Sequence, residues 1–119
     1  MGYESRLYVV EKSSLSKDPD IDKIWAEVIA VFNLCVVPGL NLSKYPETDC
    51  FFYDGDKKVT KDGYGAPLIE VPIPDMIQCI EEARANDPDD YRRWKPCLQL
   101  LKGFDESRWS KLAVLHYGY

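Results

Sequence analysis

Three kinds of residue in this sequence could carry chemistry: one histidine, four cysteines and several closely spaced aspartates. His116 could serve as a general base for a cysteine nucleophile. Its setting in LAVLHYGY is more typical of a partly buried strand histidine with satisfied hydrogen bonds. The cysteines form no CxxC pair, so neither a zinc site nor a redox pair is indicated. We expect four reduced, mostly buried thiols at Cys35, Cys50, Cys79 and Cys97.

The aspartates of DPDID, at 18–22, alternate as carboxylates do in a calcium loop. Lys23 and Ile29 stand where such a loop needs its glycine and its bidentate glutamate, and the stretch that starts at Asp54 fails at the same two positions. No phosphate-binding glycine loop, nucleophile elbow or HExxH occurs. We therefore predict no catalytic residue, no metal and no cofactor.

Charge and composition narrow the class of protein. The chain has 119 residues, 45% of them hydrophobic, which fits a single domain spanning 1–119. Its net charge of -5 points away from direct nucleic-acid binding, because a basic surface is needed to replace counterions. No apolar run approaches the roughly 20 residues that span a bilayer, and no export signal opens the chain. We expect a soluble, cytoplasmic protein that does not bind membranes.

The strand signals lie mainly in the first half of the chain. RLYVVE at 6–11 is rich in aromatic and β-branched residues, and the polar stretch 13–22 reads as a loop. IWAEVIAVF at 24–32 predicts a strand antiparallel to the first, with an amphipathic helix as the alternative. Asp54 and Gly55 predict a hairpin turn. KLAVLHY at 111–117 is apolar on both faces, as expected of a strand inside a sheet.

The helical signals follow. An apolar stripe at i, i+3, i+4 and i+7, from Ile73 to Ile80, predicts a helix that runs to about Ala85. Helical spacing resumes from 89 to Gly103, where Pro96 predicts a kink or two short helices. Asp105 is placed to cap one further turn, through residue 109.

Together these elements predict an α+β fold. We expect an antiparallel β-sheet with two or three helices from the C-terminal half packed on one face, and with the C-terminal strand inside the sheet.

Two candidate sites are indicated by residue types. EEARANDPDD at 81–90 is followed at once by Tyr91, Arg92, Arg93 and Trp94, the mixture that carries binding energy at protein interfaces. The alternative is a pair of solvated helix ends, with the acids favouring the second helix through its dipole. A pocket between sheet and helices is the other candidate, with walls formed by Tyr8, Trp25, His116 and Tyr117.

The two ends of the chain, MGYESRLYVVEK and YRRWKPCLQLLKGFDESRWSKLAVLHYGY, resemble a group of small uncharacterised proteins of bacteriophages and prophages of Gram-positive bacteria. The resemblance carries no functional residue with it. It implies a context, since small acidic phage proteins often bind and block a host protein, including components of antiviral defence such as CRISPR nucleases.

The leading expectation is therefore a phage accessory protein that binds a host or phage protein and performs no catalysis, for example as an anti-CRISPR. One alternative is a small-ligand binder or minor enzyme that uses the pocket. Another is a homo-oligomeric structural component, and a homodimer through exposed edge strands is compatible with all three.

Overall fold

The computed structural model describes residues 5–18, 23–34 and 39–118 of the chain. In this part of the chain the six strands are β1 (Ser5–Asp18), β2 (Lys23–Leu34), β3 (Cys50–Asp54), β4 (Lys57–Val59), β5 (Ile69–Val71) and β6 (Leu112–Gly118). The α-helices are α1 (Ile73–Asn86) and α2 (Lys95–Gly103), and short 3-10 helices lie at Leu42–Lys44, Asp90–Arg93 and Glu106–Lys111. None of these helices combines the length and the apolar character needed to cross a membrane.

The strands form one sheet in the order β4-β3-β2-β1-β6-β5. β1 lies between β2 and β6 and pairs antiparallel with both, and β5 pairs antiparallel with β6. β3 differs, because it runs parallel to β2 over the pairs Ile24↔Cys50 and Trp25↔Phe51. The predicted α+β fold is confirmed, with one difference: the sheet is mixed rather than antiparallel throughout.

The sheet curls until β5, at one end of it, meets the segment that leads into β3. The amide of Thr48 donates to the carbonyl of Leu68 at 2.8 Å, and the amide of Glu70 donates to the carbonyl of Pro46 at 3.1 Å. The segment that leads into β3 thus pairs with β5, while the start of β3 itself pairs with β2. These contacts close the sheet into a small barrel-like layer and pair backbone groups of β5 that would otherwise be exposed at an edge.

Alternation along the strands gives this layer an inner and an outer face. The inner face holds a cluster of buried side chains: Tyr8, Val10, Ala26, Cys50, Phe52, Val59, Leu68, Ala113 and Leu115. Leu7, Val9, Leu112 and Val114 face outward, where the helices cover them. The helices contribute a second set of buried residues to this outer core: Ile73, Met76, Cys79, Ile80, Ala83, Trp94, Cys97, Leu98 and Leu101. The helices therefore pack on one face of the sheet, as predicted.

Most local predictions from the sequence are confirmed. α1 carries the predicted apolar stripe, and Pro96 lies in the first turn of α2, where its missing amide donor costs nothing. The side chain of Asp105 caps the following turn by accepting from the amide of Ser107 at 3.0 Å. Gly55 has a φ of 62° in the β3–β4 turn, a conformation that glycine adopts without steric cost.

One local prediction is wrong. Residues 13–18 continue β1 instead of forming a loop, because they extend the hairpin with β2 as far as the pairs Lys17↔Ile24 and Asp18↔Lys23. Residues 19–22, the rest of that predicted loop, lie outside the described residues.

The C-terminal strand has the predicted position. β6 lies between β1 and β5 and is buried along nearly its whole length. Leu112, Val114 and His116 share the outer face, while Ala113 and Leu115 point into the inner cluster. The apolar ending of the chain is explained by this two-sided burial.

Candidate functional site

The structure corrects the expected interaction patch at residues 91–94. Trp94 is not exposed: only 1% of its surface is accessible, and its indole is part of the outer core. The reason is helical spacing, which places Trp94 on the same inward stripe as Leu98 and Leu101. A partner cannot reach this side chain unless the helices move away from the sheet.

The other members of that patch lie nearer the surface. Tyr91 is half-buried, and the guanidinium of Arg84 stacks over its ring at 5.4 Å. Arg92 and Arg93 are exposed. Whether these three side chains bind a protein stays a prediction, since their exposure is equally expected of solvated residues at a helix end.

The expected pocket residues do not come together on one face of the sheet. Tyr8 and Tyr117 lie on the inner side, with ring centroids 5.8 Å apart, and Tyr8 packs on Phe52 at 4.4 Å. The guanidinium of Arg6 donates to the Tyr8 hydroxyl at 3.1 Å and lies 5.7 Å from the centre of the Tyr117 ring. These contacts fill the space between the two tyrosines.

His116 and Trp25 point to the outer side. His116 pairs with Leu7 and Ile69 in the neighbouring strands, and it is 3% exposed. Burial lowers the pKa of His116, although the charge of Asp62 acts in the opposite direction. A buried, neutral imidazole in the middle of a sheet has no access to a substrate, so the pocket built on His116 is not formed as expected.

The described cysteines are reduced and buried. Burial raises the pKa of Cys50 to about 11 and that of Cys97 to about 12. The pKa of Cys79 is also raised, by burial and by the charge of Glu82. Thiols in this state are poor nucleophiles, because the thiolate is the reactive form. Cys35 lies outside the described residues.

A polar cluster lies where the sheet closes. The ammonium of Lys12 on β1 is 2.8 Å from a carboxylate oxygen of Glu70 on β5 and 3.4 Å from one of Asp49. The other Glu70 oxygen accepts from the Thr48 hydroxyl at 2.7 Å. Cys50 donates to Asp49 at 3.4 Å. This Lys12–Glu70 cluster therefore ties together the three segments that meet at the join.

Electrostatics within the cluster favour the charged lysine. Burial lowers the pKa of Lys12, but the hydrogen bond and charge of Glu70 outweigh it, so the pKa is raised overall. Burial likewise raises the pKa of Asp49, while the charge of Lys12 and hydrogen bonds from Cys50 and Lys12 bring it below its usual value. Ligand atoms of Asp49, Cys50 and Glu70 lie within 4.8 Å of one another, as metal ligands can. Lys12 already supplies the cation there, which gives the cluster a structural role.

The two aspartate-rich stretches do not form metal sites in the described residues. Asp54 and Asp56 are exposed on the β3–β4 hairpin. They do not belong to the group of Asp49, Cys50 and Glu70, whose ligand atoms lie within 4.8 Å of one another. In the next turn, the carboxylate of Asp62 accepts from the amides of Tyr64 and Ala66, both at 2.9 Å, and so shapes an ordered surface loop. Of DPDID, residues 19–22 lie outside the described part.

A small cleft lies between the loop that begins at Gly39 and the surface of α1. Its volume is about 230 Å³. Its lining is mostly polar and includes Leu40, Lys44, Tyr45, Asp75, Gln78 and Glu82. The Tyr45 hydroxyl already donates to Asp75 at 3.0 Å, which holds the loop against the helix.

The most distinctive exposed surface lies on the outer face where β2, β3 and β4 meet. We call Trp25, Phe51, Tyr53 and Lys58 the aromatic patch. Phe51 is buried and forms its floor; its ring contacts Tyr53 edge-on at 5.7 Å, and the Lys58 ammonium lies 5.3 Å above it. Trp25 is 39% exposed and Tyr53 46% exposed. Neither ring belongs to the described core clusters on the two faces of the sheet.

Of these four residues, only Trp25 is expected from the sequence to belong to a site, and that site is the pocket with Tyr8, His116 and Tyr117. Alternation in CFFYD indicates that Phe51 and Tyr53 share a face, since Phe52 between them is buried on the other. Nothing in the sequence indicates that Trp25 pairs in parallel with Phe51. That pairing brings β2 and β3 together at this point.

Comparison of the chain with protein-family models, with curated proteins and with solved structures returns no match. The function of the chain is therefore inferred from the geometry of its described surfaces.

Proposed function

We propose that this chain is a small binding protein of the bacteriophage or prophage accessory kind, which acts by occupying a host or phage protein through the aromatic patch. It performs no catalysis of its own. The resemblance of both chain ends to small phage proteins supports the biological context. A component of antiviral defence, such as a CRISPR nuclease, is the partner that this context favours.

The observation that carries the proposal is the exposure of Trp25 and Tyr53 on one face beside Lys58. Tryptophan and tyrosine are among the residue types most enriched in the side chains that dominate binding energy at interfaces. Their rings gain contact area while losing little conformational entropy. Here the floor of the patch, Phe51, is packed and holds its neighbours in place, so part of the ordering cost is met before a partner binds.

The chemistry of the other candidate residues is consistent with this assignment. Cys50 and Cys97 are protonated near neutral pH, and His116 is buried. Lys12 is engaged by two carboxylates. Each of these groups contributes to the fold at its position, whereas the exposed rings of the aromatic patch contribute little to the core.

The test is affinity capture from a lysate of a Gram-positive host with three forms of the tagged chain. These are the wild type, the Trp25→Ala/Tyr53→Ala double variant, and an Arg92→Ala/Arg93→Ala double variant as the matched control. Circular dichroism first establishes that all three are folded. One protein retained in stoichiometric amount by the wild type and the arginine variant, and lost with the aromatic variant, supports the proposal.

Two results contradict it. Retention by the aromatic variant with loss by the arginine variant moves the binding surface to residues 91–93. Equal behaviour of all three forms means that neither surface is used. A retained partner is then purified and mixed with the chain to measure whether its own activity is inhibited at equimolar ratio.

A further inference from the structure

The polar cleft between α1 and the loop that begins at Gly39 is lined by charges of both signs. Asp75, Gln78 and Glu82 line its helix side, and their spacing of three, four and seven positions places them on one face of α1. Lys44 lines the loop side. Two carboxylates and one ammonium therefore border the same space of about 230 Å³.

The loop side of the cleft is anchored to the rest of the protein. Leu40, Leu42 and Tyr45 pack against the outer core. The Tyr45 hydroxyl also donates to a carboxylate oxygen of Asp75 at 3.0 Å, which joins the loop to the first turn of α1. Lys44 lies between two of these anchors, so its backbone is held in place and less conformational entropy is lost when its side chain binds a ligand.

The charged groups of the cleft have bonding capacity to spare. Within the part of the chain that the structure describes, the ammonium of Lys44 forms no ion pair, although two carboxylates line the same space. Tyr45 occupies one oxygen of Asp75. The side-chain amide of Gln78 occupies one oxygen of Glu82 at 3.3 Å. The second oxygen of each carboxylate has no donor among the described residues. The opposite charges are thus held apart, and a ligand with the complementary charges can bridge them.

The number and spacing of these charges define a class of ligand. Two carboxylates and one ammonium are matched by a molecule with two cationic groups and one anionic group. Asp75 and Glu82 are separated by about 10.5 Å along the helix axis, at 1.5 Å per residue. The two cationic groups of extended lysine or arginine are about 7 Å apart by bond lengths, and a charged hydrogen bond of about 2.8 Å at each end covers the remainder. The cleft is also smaller than the 300 Å³ or more that is usual for drug-sized ligands.

We propose that this cleft binds a free basic α-amino acid, arginine or lysine. Lys44 binds its carboxylate, while Asp75 and Glu82 bind its α-ammonium and its side-chain cation. A neutral amino acid leaves one of the two carboxylates without its cation, and a polyamine leaves the ammonium of Lys44 without an anion. The cleft shares no residue with the aromatic patch, so this site does not depend on the function proposed above.

The test is titration of the full chain with arginine and with lysine at constant ionic strength, followed by the backbone amide signals of α1 in ¹H–¹⁵N correlation spectra. Three matched probes each lack one charge. Citrulline lacks the side-chain cation, Nα-acetyl-arginine lacks the α-ammonium, and arginine amide lacks the carboxylate. We expect a saturable shift of the α1 signals with arginine or lysine, and binding at least about tenfold weaker for each of the three probes, because each loses one charged hydrogen-bonded pair.

Variants of the chain locate the contacts. Lys44→Met and Glu82→Gln remove one charge each from the cleft, and each should weaken the binding of arginine at least about tenfold. Lys57→Met and Glu27→Gln are the matched controls, because these residues are also exposed and unpaired in the described part of the chain but do not line the cleft. Both controls should bind arginine as the wild type does.

Three results overturn the proposal. One is the absence of any saturable shift of the α1 signals with arginine and lysine up to about 10 mM. Another is binding of any of the three probes as tight as that of arginine. The third is wild-type affinity for arginine in either Lys44→Met or Glu82→Gln.

Discussion

Replacement of Trp94 by alanine should destabilise the protein severely rather than remove a binding contact. The indole is 1% exposed and packs in the outer core with Leu98 and Leu101. A buried tryptophan contributes up to about 250 Å² of contact area. Truncation of such a side chain costs about 3–5 kcal/mol, including the cavity left behind. A domain of this size has a total stability of only about 5–15 kcal/mol. The variant should therefore lose between about a fifth of the free energy of unfolding and all of it.

A milder substitution sharpens the comparison. The Nε1 donor of Trp94 has no hydrogen-bond partner among the described residues, so Trp94→Phe breaks no such bond. We expect it to cost about 1–2 kcal/mol, and Arg92→Ala, on the exposed side of the same turn, to change stability by less than about 0.5 kcal/mol.

The assay is equilibrium urea unfolding followed by far-UV circular dichroism, which does not depend on the tryptophan signal. A loss below about 1 kcal/mol for Trp94→Ala, with an unchanged denaturant slope, would refute the packing of the indole in the outer core. It would also restore Trp94 as a residue available to a partner.

Three further predictions concern titration, thiols and the join of the sheet. Because burial lowers the pKa of His116 below 6.5, the unfolded chain takes up a proton first as the pH falls. The free energy of unfolding should then decrease below pH 6.5 by at most about 1.4 kcal/mol per pH unit, and His116→Gln should flatten that slope between pH 5 and 7. Cys50 and Cys97 have pKa values of about 11 and 12, so few of these thiols are ionised at pH 8. Each should react with a thiol reagent at least about 100-fold more slowly in the native chain than in the unfolded chain. Peptide mapping of the labelled cysteines measures this ratio. Lys12→Met and Glu70→Gln should each cost about 1–3 kcal/mol, while the double variant costs less than their sum; strict additivity would exclude direct coupling across the join.

The parts of the fold that the sequence predicts are those decided by local periodicity. The apolar stripe from Ile73 to Ile80 repeats every 3.6 residues, and the turn at Gly55 needs a positive φ. Both features can therefore be recognised within a short stretch of sequence. The same periodicity in the next helical region indicates the inward stripe that contains Trp94. The prediction of an interaction patch that includes Trp94 relied on residue type. The helical spacing instead indicates that Trp94 points inward with Leu98 and Leu101, as the structure shows.

The parts that could not be predicted depend on which segments meet. Residues 13–18 resemble a loop in composition, and only pairing with β2 makes them a strand. The parallel contact of Trp25 with Phe51 joins residues that are 26 positions apart, and nothing in either segment specifies that register. Lys12 and Glu70 are 58 positions apart and meet only because the sheet closes. Their types are ordinary for a solvated surface, so no pattern distinguishes them.

The exposure of Tyr53 in the aromatic patch follows from the point at which β3 leaves β2. After the pair Trp25↔Phe51, β3 turns to form a hairpin with β4 instead of continuing beside β2. That separation leaves Tyr53 exposed, although Phe51 on the same face is buried, and it leaves residues 26–34 of β2 without a described neighbour on that side.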